Sequence, residues 1–238
     1  RSGTARRSSS MSEAPAPVRL TYFAGYGLAE QVRWMLAAAG ISWQQVVLEK
    51  HEEFLEMRAD GKLLFGQLPL LEIDGLKLVQ SQAMMRYVAQ KGGLWGKTPA
   101  DAALIDMIAE GIRDARGVVV SFPFQGDQEK AMLVADVPAR TAKQLVPLES
   151  LVQQREDGSF GFLDTVCAAD ILLAELAEEL TWMRKDAMGD YPKLAALHKQ
   201  VVSLPPIRTY LEGPGRFPFP AGDVGKKYVQ NVQTVLGR

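Results

Sequence analysis

Hydrophobic and polar positions alternate between strand-like and helix-like patterns along the first ninety residues. Apolar residues alternate over 18–23, whereas residues 28–39 carry one apolar face at helical spacing and end at Gly40. Asp74-Gly75 joins two further strand-like stretches as a two-residue hairpin turn. The remaining predicted elements are strands over 41–48, 68–73 and 76–79 and helices over 52–59 and 81–91. This order predicts a mixed sheet with flanking helices.

From Ala100 onward the strand-like patterns stop, and helical spacing continues to the end of the chain. Pro138 and Pro147 lie inside a stretch of helical composition over 128–154, which predicts a broken or kinked helix. The other predicted helices cover 101–120, 168–186, 192–203, a short stretch from Pro205 and 226–236. We therefore predict a flexible leader over 1–16, an α/β domain over 17–91, a linker over 92–99 and an all-helical domain over 100–238.

Composition excludes several broad classes of protein. The chain has 47% hydrophobic and 23% charged residues, and its net charge of −1 argues against a basic nucleic-acid binder. No apolar run approaches the roughly 20 residues of a membrane span. The single cysteine, Cys167, excludes an intramolecular disulfide and is compatible with a reducing compartment, which favours a cytoplasmic location. We expect Cys167 to be a buried structural thiol.

Residues 1–10 are rich in serine and arginine and contain no acidic residue. Transit peptides share this composition, but the stretch is short and lacks an apolar face. Met11, which follows it, resembles a natural start. Two interpretations stay open: added or translated upstream residues, and the remnant of a targeting signal.

Three familiar kinds of site are not supported by the sequence. Gly25-x-Gly27 follows a strand and opens a helix, but Glu30 occupies the third glycine position of a dinucleotide motif, so we expect a structural turn and no nucleotide. His51 and His198, the two histidines, lack the spacing of metal ligands, so we expect no metal. A Ser-His-Asp triad has no nucleophile-elbow motif here.

Three short stretches are better candidates for a polar ligand site. Because Pro69 cannot donate to a β-ladder, its segment is either an edge strand or a backbone edge that binds a peptide. Ser81 at the start of a helix is expected to be the N-cap, and such a helix start can also bind a carboxylate. Tyr22 closes the first strand and is either a packing residue or a hydrogen-bond donor to a substrate.

Several motifs along the chain together match one protein family. They are Tyr22-Phe23-Ala24-Gly25-Tyr26-Gly27 with Arg33-Trp34, residues 67–75 through Gln80-Ser81, residues 103–107 with Glu110-Gly111, and Ala169-Asp170-Ile171. Over about 17–238 the chain resembles a cytosolic glutathione transferase of the tyrosine type, within the alpha, mu, pi and sigma group and closest to alpha. The resemblance implies an α/β thioredoxin-like N-terminal domain that binds glutathione. It also implies an all-α C-terminal domain that helps bind an electrophile, with two chains in a homodimer.

The resemblance further implies the roles of individual residues. Tyr22 would be the catalytic residue that hydrogen-bonds the glutathione sulfur. The implied glutathione-binding residues are Tyr22, Arg58 near the glycine carboxylate, Gln67, Gln80 and Ser81 at the γ-glutamyl end, Leu68 before a cis Pro69 at the cysteinyl backbone, and Asp114 reaching the neighbouring subunit's glutathione. The implied electrophile pocket contains Phe23, Gly27 and Tyr228, which are apolar or aromatic and favour hydrophobic electrophiles.

The chain departs from the family pattern at three positions. Alpha-like members have an arginine where this chain has Leu28, so we expect Tyr22, backbone N–H groups and a helix N-terminus to stabilise the thiolate. Gln31 replaces a common proline. Cys167 replaces a hydroxyl N-cap, a change that costs about 0.5–2 kcal/mol and that Asp170 is expected to offset in part.

Three functions stay open on this sequence. The favoured one is glutathione conjugation, because the site residues implied by the resemblance are intact. The second is a glutathione-dependent isomerase or peroxidase, such as a prostaglandin isomerase, acting at the same site. The third is a non-catalytic, crystallin-like or ligand-binding member, which Leu28 alone favours.

Overall fold

The computed structural model describes residues 16–238, so the predictions made for residues 1–15 lie outside the described part of the chain. The N-terminal elements are β1 Arg19–Phe23, α1 Glu30–Ala38, β2 Gln44–Leu48, α2 His51–Ala59, β3 Leu70–Ile73, β4 Leu76–Val79 and α3 Ser81–Lys91. They form a four-stranded sheet in the order β2-β1-β3-β4, with β1 and β2 parallel and the other neighbours antiparallel. The predicted mixed sheet with flanking helices is confirmed.

Local chemistry explains why these elements form where they do. Asp74 (φ 51°) and Gly75 (φ 78°) both adopt the left-handed conformation of the predicted hairpin turn. Helix α1 is buried along nearly its whole length, and Trp34 and Met35 are inaccessible to solvent. The helix therefore lies between the sheet and the helical domain, in contact with both α3 and α6.

The C-terminal domain is helical, as predicted. Its helices are α4 Pro99–Ser121, α5 Asp127–Leu151, α6 Ala168–Met183, α7 Pro192–Ser203, α8 Pro205–Glu212 and α9 Gly222–Leu236. Thr98 and Asp101 begin α4 with reciprocal hydrogen bonds: the Asp101 N–H donates to Thr98 Oγ1 (3.1 Å), and the Thr98 N–H donates to Asp101 Oδ2 (3.0 Å). None of the helices within residues 16–238 has the length and apolar character needed to cross a bilayer.

Two expectations for this domain need correction. Helix α5 is not broken at Pro138 or Pro147, because a buried stripe of residues at helical spacing packs it against its neighbours (Val137, Thr141, Leu145 and Leu148); a kink at these prolines stays a prediction. A hairpin of β5 Gln153–Gln154 and β6 Phe160–Gly161 also interrupts the helices. Its two-residue strands are too short to show an alternating hydrophobic pattern.

Cys167 lies at the N-cap of α6 and is buried, as expected. The Cys167 N–H donates to Asp170 Oδ2 at 3.1 Å, so Asp170 caps the helix from the N3 position. Burial raises the pKa of the thiol to about 12. Cys167 is therefore a protonated structural thiol at neutral pH.

Candidate active site

The register of the sheet brings the separate sequence motifs to one edge. Thr21 pairs with Leu70, and Leu70 pairs with Val79. The carboxyl end of β1, the start of β3 and the end of β4 therefore lie side by side. As a result, Tyr22 becomes a neighbour of the Pro69 segment and of the Gln80-Ser81 segment.

Tyr22 has the first of the two roles that the sequence left open, that of a packing residue, and donation to a substrate stays a prediction. Its side chain is 3% exposed, and its ring packs edge-on against Phe23 with a centroid distance of 4.9 Å. Its hydroxyl oxygen accepts a hydrogen bond from the Leu28 N–H at 3.0 Å. Tyr22 is thus part of the core, but its hydroxyl is held by the loop that follows β1.

This loop, residues 24–28, is called the glycine loop below, and its two glycines make room for aromatic rings. A Cβ atom on Gly27 would lie 2.5 Å from Tyr22 Oη and 2.4 Å from Tyr228 Oη, and Gly27 also has a positive φ of 48°. A Cβ atom on Gly25 would lie 2.2 Å from the Tyr228 ring. The turn is structural, as expected, because it seats two phenol rings.

Two buried arginines hold the carbonyl groups of the glycine loop. Arg33, from α1, donates to Gly25 O at 3.1 Å and to Tyr26 O at 3.2 Å. Arg116, from α4, donates to Gly27 O at 3.1 Å. Three consecutive carbonyls are therefore fixed by one side chain from each domain.

These arginines belong to a buried cluster of charged groups. Arg116 Nη2 lies 2.9 Å from Glu175 Oε1 and 2.6 Å from Glu179 Oε1, and Arg33 Nη1 lies 2.9 Å from Glu30 Oε2. All five side chains are at most 3% exposed. Burial and the neighbouring Glu179 raise the pKa of Glu175. Since three carboxyl groups face two guanidinium groups, this raised pKa favours a proton on Glu175.

The opposite side of the site is more exposed. The Leu68–Pro69 peptide bond is cis, as expected, but β3 pairs on both sides, so the edge-strand interpretation was wrong. Gln80 Nε2 donates to Gln67 Oε1 at 3.0 Å, and Gln80 has an unusual positive φ of 71°. We call Gln67, Gln80 and Ser81 the polar shelf.

The expected capping role of Ser81 was also wrong. Helix α3 begins at Ser81 itself, and Gln80 occupies the N-cap position with its side chain turned to Gln67. Ser81 therefore lies in the first helical position, half-buried. There its hydroxyl stands beside the backbone N–H groups of the helix N-terminus, which attract anions.

Comparison with known proteins identifies the family. Residues 18–90 match the family model of the glutathione S-transferase N-terminal domain, and residues 113–214 match that of the C-terminal domain. The chain belongs to the glutathione S-transferase family. The expected fold, a thioredoxin-like domain followed by an all-α domain, is thereby confirmed.

Individual relatives agree with this assignment. Glutathione S-transferase 3 of Gallus gallus is 37% identical over 223 residues, which cover 94% of this chain and 96% of that protein. Glutathione S-transferase alpha-5 of Rattus norvegicus is 34% identical over 206 residues, or 86% of this chain and 93% of the relative. Monomeric Na-GST-3, a glutathione S-transferase of the hookworm Necator americanus, has a solved structure with 30% identity and a TM-score of 0.71; the match covers 86% of this chain and 100% of that one. The expected likeness to the alpha class is confirmed.

Two further candidate residues of this transferase lie outside the glycine loop and the polar shelf. Arg58 is exposed on α2, and its Nε atom would lie 3.3 Å from a Cβ on Gly66, next to the polar shelf. Asp114 lies on α4 with its side chain 64% exposed, 3.8 Å from Arg113. The structure thus brings Arg58 close to the polar shelf, while Asp114 faces solvent.

Several residues at the site were missed by sequence reasoning. Arg116 lies on the buried stripe of α4, and Glu175 and Glu179 lie in the apolar run of α6. The sequence signal that could have revealed them is a charged residue within an otherwise apolar face of a helix. Asn231, on α9, accepts from the Ala24 N–H at 2.8 Å, and an amide on an amphipathic helix gave no such signal.

No candidate metal centre is found in the described part of the chain. Among residues 16–238, no three side chains of His, Cys, Asp or Glu converge in a way that could hold a metal ion.

Proposed function

We propose that this protein conjugates the thiolate of glutathione to small hydrophobic electrophiles, with Tyr22 as the catalytic residue. The observation that carries this proposal is the Tyr22 hydroxyl, whose oxygen accepts the Leu28 N–H at 3.0 Å. A phenol has one O–H to donate and can accept two hydrogen bonds. With its oxygen held by the backbone, Tyr22 can direct its own hydrogen at the glutathione sulfur.

A hydrogen bond from Tyr22, together with nearby backbone dipoles, is strong enough to ionise most of the glutathione thiol at neutral pH. A free thiol with a pKa of about 8.5 is only a few per cent ionised at neutral pH. Lowering that pKa by about two units requires roughly 2.7 kcal/mol of preferential stabilisation of the thiolate. A hydrogen bond to a charged group contributes about 1.5–3 kcal/mol. Tyr22 and nearby backbone dipoles are therefore sufficient without an arginine in place of Leu28.

We propose that the polar shelf binds the γ-glutamyl end of glutathione. Its amide and hydroxyl groups lie at or beside the N-terminus of α3, which favours a carboxylate. In the same proposal, the backbone of Leu68, next to Pro69, pairs with the cysteinyl residue, and Arg58 binds the glycine carboxylate. Two observations support this: the sheet register, which sets the ends of β1 and β4 and the start of β3 side by side, and the closeness of Arg58 to Gly66.

We propose that the electrophile binds beside Phe23, Gly27 and Tyr228. A narrow pocket adjoins Gly27 and Tyr228. Its other lining residues are Tyr26, Arg116, Val119, Val120, Pro123, Glu179, Phe219 and Pro220. Apart from the charged Arg116 and Glu179, these residues are apolar or aromatic, which favours a hydrophobic electrophile.

The test compares the natural protein with Tyr22→Phe in conjugation of glutathione to chlorodinitrobenzene. We expect kcat/KM to fall at least tenfold, because the hydrogen bond to the thiolate is lost, while calorimetry shows unchanged glutathione affinity. Tyr191→Phe removes a hydroxyl from another buried tyrosine, at the N-cap position of α7, and is the control. Equal rates for the natural protein and Tyr22→Phe would refute the role of Tyr22. Glutathione binding without conjugation would leave the isomerase, peroxidase or non-catalytic function, which a substrate panel separates.

We further propose that the active form is a homodimer in which Asp114 reaches the partner's glutathione. Leu64 and Phe65, adjacent to the polar shelf, are 77% and 61% exposed, an unusual state for two consecutive large apolar side chains. A partner subunit would bury them. We expect sedimentation to show a dimer that Phe65→Glu dissociates, and Asp114→Ala to weaken glutathione binding without dissociation. A monomeric natural protein that retains full activity would contradict this proposal.

A cytoplasmic location and a role in detoxification complete the proposal. The unpaired, buried Cys167 is compatible with a reducing compartment. A fluorescent fusion of the full chain, compared with one that lacks residues 1–10, tests the location. Accumulation of the full-length fusion in an organelle would contradict it.

A further inference from the structure

A second tyrosine hydroxyl lies next to the catalytic one. Tyr228 Oη is 3.3 Å from Tyr22 Oη, although the two residues are 206 positions apart in sequence. The Tyr228 side chain is 4% exposed. A buried hydroxyl that reaches the catalytic phenol across the domain boundary calls for a chemical explanation.

When glutathione is bound, the number of available hydrogens determines which tyrosine donates in the hydrogen bond between Tyr22 and Tyr228. The single Tyr22 hydrogen is then directed at the sulfur, and the Leu28 N–H occupies one acceptor position on the Tyr22 oxygen. One acceptor position remains on Tyr22, and Tyr228 has one hydrogen to give. We propose that Tyr228 is a positioning residue that donates to the Tyr22 oxygen and thereby strengthens the hydrogen bond of Tyr22 to the thiolate. This inference rests on the proposed function.

The surroundings of Tyr228 hold its hydroxyl in place. Its ring lies against Gly25 and Gly27, where no side chain could fit. One turn further along α9, Asn231 accepts from the Ala24 N–H at 2.8 Å and donates to Leu48 O at 2.9 Å. The helix is therefore held to the glycine loop and to the end of β2. These contacts hold the Tyr228 hydroxyl in a position that allows a well-aligned hydrogen bond to Tyr22.

A second donor changes the chemistry of Tyr22. Each hydrogen bond that the phenol oxygen accepts stabilises negative charge on it, so its own O–H becomes a stronger donor. Burial, together with the neighbouring Tyr22, raises the pKa of Tyr228, which keeps it protonated as a donor. This chain has Leu28 where an arginine would be expected, so a donor on α9 supplies part of the missing stabilisation.

The test is Tyr228→Phe, which keeps the ring against the two glycines and removes only the hydroxyl. We expect the pKa of bound glutathione, measured from the ultraviolet absorbance of the thiolate, to rise by about half to one unit. Accordingly, kcat/KM with chlorodinitrobenzene should fall about three- to tenfold near pH 6.5 and match the natural protein near pH 9, where the thiol ionises unaided. Glutathione affinity should stay within about twofold.

A double variant separates a positioning role from an independent one. If Tyr228 acts through Tyr22, adding Tyr228→Phe to Tyr22→Phe should cause no further loss of kcat/KM. Tyr191→Phe is again the control for loss of a tyrosine hydroxyl outside the site. An unshifted thiol pKa in Tyr228→Phe, a loss that is the same at every pH, or fully additive losses would each overturn the inference.

Failure of the proposed function would look different. In that case the natural protein itself would bind no glutathione or would leave its thiol unperturbed. A natural protein with a lowered thiol pKa that Tyr228→Phe leaves unchanged refutes only the role of Tyr228.

Discussion

The glycine loop and the polar shelf lie at the same edge of the sheet but differ in how fully the chain satisfies their polar groups. In the glycine loop, carbonyl groups are held by Arg33 and Arg116, and N–H groups are held by Asn231 and Tyr22. In the polar shelf, two of the three side chains are exposed, and the two glutamines bond to each other. One region is completed by the protein itself, and the other presents its groups to solvent.

This difference follows from what each region does in the proposed reaction. A group that stabilises charge at the reacting atom must be fixed before the substrate arrives, because small displacements cost rate. Groups that bind the remote end of a substrate lose affinity if internal hydrogen bonds must first be broken. The glycine loop is therefore expected to govern kcat and folding stability together, whereas the polar shelf should govern KM alone.

The largest effect is expected from removing the support beneath the glycine loop. Arg116→Met leaves Glu175 and Glu179 buried without their cation, and breaking such a pair costs about 3–5 kcal/mol of unfolding free energy. Urea denaturation measures this loss. Arg113→Met, on the same helix with a side chain 57% exposed, is the control and should cost less than about 1 kcal/mol. Similar losses in the two variants would mean that the buried cluster does not support the loop.

A smaller loss of stability, together with a loss of activity, is expected for a substitution at Gly27. A side chain at a positive φ costs about 1–2 kcal/mol, and Gly40→Ala (φ 66°, with open space around it) should show this cost alone. Gly27→Ala should add a loss of at least tenfold in kcat/KM, because the new methyl group would displace the hydroxyls of Tyr22 and Tyr228. Thermal unfolding and steady-state kinetics on both variants separate the two costs. Full activity in Gly27→Ala would show that the hydroxyls need no such room.

Strand β1 and the segments of the polar shelf, like other element ends, were predictable because their signals are local. Pro192 at a first helical position and the Asp74-Gly75 turn mark element ends in the sequence itself, and the bounds of α7 and β4 match the prediction. Tyr22 was singled out near the end of a strand and Ser81 at a helix start, and their roles in binding glutathione stay predictions. These features depend on a few neighbouring residues.

The support of the glycine loop was not predictable in the same way. Arg116 on α4 and Glu175 on α6 meet only when these two helices of the helical domain pack against each other. The register between α4 and α6 decides whether such charges pair or clash, and hydrophobic periodicity does not specify it. The continuous helix through Pro138 has the same origin, since tertiary packing there outweighs a local helix-breaking signal.

The smallest effect is expected at Ser81, where it distinguishes binding from capping. Since Gln80 holds the N-cap position, Ser81→Ala should change the unfolding free energy by less than about 0.5 kcal/mol. Losing one hydrogen bond to glutathione should raise KM for glutathione about three- to tenfold and leave kcat unchanged. Ser150→Ala, at an exposed serine on α5, is the control for both measurements. An unchanged KM together with a stability loss near 1 kcal/mol would give Ser81 a capping role and remove it from the polar shelf.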